Sequence, residues 1–72
     1  SERTMPLIIF ESPFRILLTL KELYELLGDR NISIGREMTK LYEEYLDTTL
    51  VNAIADFETR QKIRGEFTLV VS

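Results

Sequence analysis

Met5-Pro6-Leu7-Ile8-Ile9-Phe10-Glu11-Ser12-Pro13 decides how the rest of the chain is read. Leu7 to Phe10 are apolar without alternation, the pattern of a strand covered on both faces, and the run predicts a strand over Met5 to Glu11. Pro6 lacks an N–H and suits only the first rung. Ser12 then stands as a helix N-cap and Pro13 at the first helical position. A strand feeding a capped helix is the opening of a βαβ unit.

Working outward, the helix is predicted from Pro13 to about Leu27. Ile16, Leu17, Leu20, Leu23, Tyr24 and Leu27 fall on one stripe at helical spacing, and Gly28 follows where a positive φ ends a helix. Phe14, Leu18 and Leu26 miss the stripe. Exposed leucines are ordinary one at a time, but three on one small helix also fit a second covered surface. Asn31 to Glu37 is predicted as a second strand, with Ile32 and Ile34 on one face and Ser33 and Gly35 on the other. Met38 to Asp47 fits either a helical turn or a strand. The favoured reading is a turn followed by a short edge strand over Glu44 to Asp47.

Thr49 caps a second helix reaching about Glu58, with Leu50, Val51, Ile54 and Phe57 on one side. Asp56 and Glu58 sit at its disfavoured carboxyl end. Arg60, Lys62 and Arg64 form a basic cluster before Gly65. Glu66 to Val71 closes the chain as a strand, with Phe67, Leu69 and Val71 on one face. The expected fold is an α/β layer, a mixed sheet with two helices in the order β-α-β-(β)-α-β.

The chain has 72 residues, 44% of them hydrophobic and 29% charged, too apolar for disorder and long enough for one domain only. It has no cysteine and no histidine. That excludes disulfides, thiol nucleophiles, histidine triads and the usual zinc sites. Its net charge of −3, from 9 basic and 12 acidic side chains, is unlike a nucleic-acid module acting alone. The longest apolar run is too short to span a bilayer. The chain opens on Ser1 rather than methionine, which points to processing or to a start inside a longer protein.

Three polar clusters sit where strands end: Glu11-Ser12-Pro13-Phe14-Arg15, Arg36-Glu37-Met38-Thr39-Lys40, and Gly65-Glu66. Strand carboxyl ends and helix N-termini are favoured ligand positions in α/β sheets. Each cluster also has a plain reading, as cap, solvated turn or turn glycine. There is no GxGxxG, P-loop or HExxH.

Together, Arg3-Thr4, Ile9-Phe10-Glu11-Ser12-Pro13-Phe14-Arg15, Leu20 and Leu27-Gly28-Asp29-Arg30 resemble the second domain of the ribosomal RNA cytidine 2′-O-ribose methyltransferases, within the tetrapyrrole (corrin/porphyrin) methylase superfamily. Arg36-Glu37-Met38-Thr39-Lys40-Leu41-Tyr42-Glu43-Glu44, Thr49-Leu50 and Gly65-Glu66-Phe67-Thr68-Leu69-Val70-Val71 extend the resemblance over almost the whole chain. Phe14 stands where the family usually has histidine, and Met38 where it has leucine.

The resemblance implies that the chain is most of a C-terminal domain. A separate N-terminal domain would carry the glycine-rich loop for S-adenosyl-L-methionine and cover Phe14, Leu18 and Leu26. It implies methyl transfer to the 2′-hydroxyl of a cytidine ribose in small-subunit ribosomal RNA, by the cytoplasmic full-length enzyme and not by this chain alone. Lys40 or Glu37 would take the hydroxyl proton, and Arg15, Arg36 and Lys40 would contact RNA. Glu11, Ser12 and Pro13 would line the cofactor cleft, and Gly65 would let the backbone approach it. A homodimer, no metal and no membrane are implied as well. The competing expectations are a small-molecule tetrapyrrole methyltransferase and a non-catalytic dimerisation or adaptor domain.

Overall fold

The computed structural model describes residues 5–72. The elements are β1 (Leu7–Glu11), α1 (Ile16–Leu27), β2 (Asn31–Thr39), β3 (Tyr42–Thr49), α2 (Leu50–Glu58) and β4 (Glu66–Val71). They form the expected α/β layer, one four-stranded sheet in the order β1-β4-β2-β3 with two helices, and the elements follow one another as expected. Within the sheet, every neighbouring pair is antiparallel, where a mixture of parallel and antiparallel neighbours was expected. β4 is the cause: it lies between β1 and β2, so the parallel strands joined by α1 never touch. In the same way β2 separates β3 from β4, the strands joined by α2.

Alternation sets the core. Ile32 and Ile34 of β2 and Phe67, Leu69 and Val71 of β4 are buried against Ile16, Leu20 and Leu23 of α1 and Leu50, Ala53 and Phe57 of α2, in one cluster. Both helices thus cover the same sheet face. Phe57 and Phe67 meet edge to face with ring centroids 5.6 Å apart, a geometry favoured by the ring quadrupoles.

β1 is not covered on both faces as its apolar run suggests. It is an edge strand whose Leu7, Ile8 and Phe10 are exposed, while Ile9 packs on the core. A continuous apolar run marks a strand but not its place in the sheet. The interior places go to β4 and β2.

The start of α1 also differs from expectation. Pro13 to Arg15 form a turn, and the helix begins at Ile16 without a side-chain cap. The Ser12 carbonyl, not its hydroxyl, accepts the amides of Arg15 (3.1 Å) and Ile16 (3.0 Å). At the other end Gly28 has φ 77° and donates to the Tyr24 carbonyl at 2.8 Å, as its position predicts. Thr49 caps α2 as expected, accepting the Asn52 amide at 3.2 Å. The carboxylate of Asp29 and the carbonyl of Arg30 take the amides of Val51 and Leu50. These three acceptors satisfy the first turn of α2.

β2 and β3 are longer than expected and form a hairpin closed by Lys40-Leu41, with Thr39 opposite Tyr42. Met38 is an extra residue between the pairs Glu37–Glu43 and Thr39–Tyr42, a bulge that re-aims the hairpin tip.

Candidate functional site

Strand pairing brings the three polar clusters to one end of the sheet. Glu11 lies opposite Phe67, Phe67 opposite Arg36, and Arg36 opposite Glu44, in one row across all four strands. One residue further out, Glu66 lies opposite Glu37 and Glu37 opposite Glu43. The β1–α1 turn, the end of β2 and the start of β4 therefore share an edge, although they lie far apart in sequence. Arg3 and Thr4 lie outside the described residues.

Glu11 points to the helix side. Its carboxylate accepts the Thr19 hydroxyl at 2.7 Å and the Ser12 amide at 3.2 Å, and it stands 3.7 Å from the Arg15 guanidinium. The Thr19 hydrogen bond, with help from Ser12 and Arg15, holds its pKa below the usual carboxylate value against partial burial. Glu11 thus anchors the β1–α1 turn to α1. Ser12 and Pro13 are half-buried at that turn, and the Arg15 side chain is more than half exposed.

Gly65 has φ 100°, and a Cβ there would lie 2.9 Å from Arg36 Cγ, 3.0 Å from the Glu37 carbonyl and 3.2 Å from Met38 Sδ. The close approach it permits is to β2. Glycine is required here by neighbouring protein.

Arg36 lies on the helix side, largely buried, with an Nη 2.6 Å from the Glu44 carboxylate. Tyr42 donates its hydroxyl to the same carboxylate. Tyr42 first and Arg36 second pull the pKa of Glu44 down, while the hydrogen bond to Glu44 and its charge push the Tyr42 phenol up. Arg60 stands near this group, 4.3 Å over the Phe57 ring and 2.8 Å from Asp56. Arg36 is therefore held inside the fold. Lys40, at the hairpin turn, is exposed and makes no ion pair among the described residues.

The sheet face opposite the helices is uncovered in this chain. A depression of about 360 Å³ runs along it, with Phe10, Thr68, Gly35, Glu37, Glu43 and Tyr45 in its lining. The Tyr45 ring rests on Gly35, where a Cβ would come 3.0 Å from its Cε1. Its hydroxyl donates to Glu43 at 2.9 Å, and that carboxylate raises the phenol pKa. Glu37 stands in the row between Glu66 and Glu43 and is solvated. Sequence reasoning does not single out Phe10, Thr68, Glu43 and Tyr45 as site residues. Their alternation within strands is visible in the sequence, but strand order alone makes them neighbours.

Among the described residues no group of three or more carboxylate, histidine or cysteine side chains is arranged to hold a metal ion. No described helix is long and apolar enough to cross a membrane.

No protein-family model matches the chain. Three curated proteins called ribosomal RNA small subunit methyltransferase I are similar to it. The one from Thermotoga maritima is 44% identical over 66 residues, covering 92% of this chain and 29% of the relative. The one from Bacillus subtilis is 43% identical over 70 residues, 97% of this chain and 24% of the relative. The one from Halalkalibacterium halodurans is 45% identical over 74 residues, 97% of this chain and 25% of the relative. The chain thus spans between about a quarter and three-tenths of the length of these relatives.

Proposed function

Because this chain belongs to the ribosomal RNA small subunit methyltransferase I family, we propose that it forms most of the C-terminal domain of a two-domain enzyme. That enzyme transfers a methyl group from S-adenosyl-L-methionine to the 2′-hydroxyl of a cytidine ribose in small-subunit ribosomal RNA. The observation that carries the reading is the gathering of residues 11–15, 36–40 and 65–66 at one end of a sheet whose outer face this chain leaves open.

The donor fits this chain at only part of its surface. Glu11 and Gly65 are committed to Thr19 and to β2, which leaves the Ser12 hydroxyl and the Pro13 ring at the β1–α1 turn as the groups that would meet it. S-adenosyl-L-methionine supplies an electrophilic methyl on a sulfonium. The chain's own contribution is to hold the ribose oxygen in line and to accept its proton. Glu37 is the proton acceptor, because its carboxylate lies on the open face and makes no hydrogen bond or ion pair among the described residues. Lys40 is exposed at the hairpin turn and makes no ion pair among the described residues, so its role is contact with phosphate. Arg15 joins it from the β1–α1 turn, while Arg36 acts indirectly by fixing β2 to β3 through Glu44.

The rest of the protein supplies the N-terminal domain, which covers exposed Phe14, Leu18 and Leu26. A core of eleven buried apolar residues among those described is small, and the enzyme works as a homodimer in the cytoplasm, where its RNA substrate is found. The test is methylation of small-subunit RNA by the full-length protein, followed by alkaline cleavage. A methylated 2′-hydroxyl blocks cleavage at one cytidine. Methyl incorporation that leaves every linkage alkali-labile overturns the ribose assignment.

A further inference from the structure

Lys62, Ile63 and Arg64 precede β4 in an irregular segment pinned by Ile63, which packs on the core. Lys62 and Arg64, on either side of that anchor, are exposed. Arg64 is covalently next to Gly65, where an added Cβ would meet Arg36, Glu37 and Met38. The segment therefore runs beside the β2 bulge, two residues from Lys40 at the hairpin turn.

Ion pairing separates these cations from the others. Arg15 pairs with Glu11, Lys21 with Glu58, Arg36 with Glu44 and Arg60 with Asp56, while Arg30 donates to the Ser72 carbonyl. Lys40, Lys62 and Arg64 have no such partner among the described residues. In a chain of net charge −3, Lys40 and Arg64 stand toward one end of the sheet, and Lys62 is two residues from Arg64 in the same segment.

We infer that Lys40, Lys62 and Arg64 form a docking patch for the phosphate backbone of the RNA substrate, with Lys62 and Arg64 supplying contacts that Arg36 cannot. This rests on the reading of the protein as an RNA methyltransferase. Free cations at a surface gain affinity by displacing counterions from a polyanion, whereas paired ones must first lose a partner. The carboxylates of Glu37, Glu43 and Glu66 border the patch on the open face and repel phosphate there. The backbone therefore runs along the hairpin end and not across the sheet.

The test measures binding of the full-length protein to small-subunit ribosomal RNA over a salt series. Lys62→Gln/Arg64→Gln is compared with wild type, with Lys62→Arg/Arg64→Lys, and with Lys21→Gln from the helix side. The glutamine pair should weaken binding and flatten the slope of log K against log salt by about 1.4–1.8, two phosphate contacts' worth. The charge-conserving pair and Lys21→Gln should keep the wild-type slope. Unchanged S-adenosyl-L-methionine binding by calorimetry shows that each variant is folded. If wild type binds and methylates the RNA but the glutamine pair keeps its slope, the patch is overturned and the enzymatic reading stands. Weaker binding to intact small subunits with an unchanged slope on bare RNA would assign the patch to a protein partner and overturn it likewise. A wild type that neither binds nor methylates RNA overturns both.

Discussion

The hydroxyl of Thr19, one turn into α1, donates to the Glu11 carboxylate at the end of β1 at 2.7 Å. Both side chains are largely buried. This bond ties the edge strand to the helix layer at the point where the chain turns from one to the other, and it makes Glu11 a stronger acid than an unfolded glutamate.

A lowered folded pKa stabilises the native state above the unfolded value of 4.5, and that contribution is lost as pH falls through the folded pKa. Thr19→Val should therefore lower the thermal midpoint of the intact protein at neutral pH. The gap to wild type should close as the carboxylate protonates. A gap that stays constant from about pH 7 to about pH 3 would show that Glu11 ionisation plays no part.

Gly65→Ala should destabilise the protein by about 1–3 kcal/mol for the positive φ alone, and by more because the methyl meets the Glu37 carbonyl at 3.0 Å. Urea unfolding measures it. Gly28→Ala makes the comparison: it shares the positive φ but has open space around its Cβ position, so it should cost less.

Glu37→Gln keeps the shape of the side chain and removes its basicity. Turnover of the full-length enzyme should fall about 10²-fold or more, the usual contribution of a general base, with no loss of RNA affinity. A loss of affinity at unchanged turnover would move Glu37 from proton transfer to substrate holding.

Thr49→Ala removes the acceptor of the Asn52 amide and should cost about 1 kcal/mol. Asp29→Ala should act at the same helix end by freeing the Val51 amide. Because the two acceptors serve adjacent amides, the double variant tests their coupling. Chemical denaturation of wild type, the two single variants and the double variant reads it directly.

Much of the architecture is legible in local pattern. Thr49 and Gly28 end their helices as their residue types demand, since a hydroxyl can accept an orphan amide and glycine tolerates a positive φ. Ser12 misleads, because an N-cap signature before proline also describes a turn, and the helix waits until Ile16. The hairpin outruns its sequence signal because Tyr42 and Glu43 extend β3 toward the turn without a strand's usual run of apolar residues.

What the sequence determined by itself was the succession of elements and the inward faces: Ile32 and Ile34, Phe67, Leu69 and Val71, and the stripe Ile16, Leu20 and Leu23. Burial is periodic, and periodicity is a local property of the chain. Only the tertiary structure decided that β4 separates β1 from β2, that Arg36 is spent on Glu44, and that Gly65 answers to Met38 and Glu37. Those outcomes depend on which strand edges find each other across dozens of residues, and long-range pairing leaves no mark on neighbouring positions.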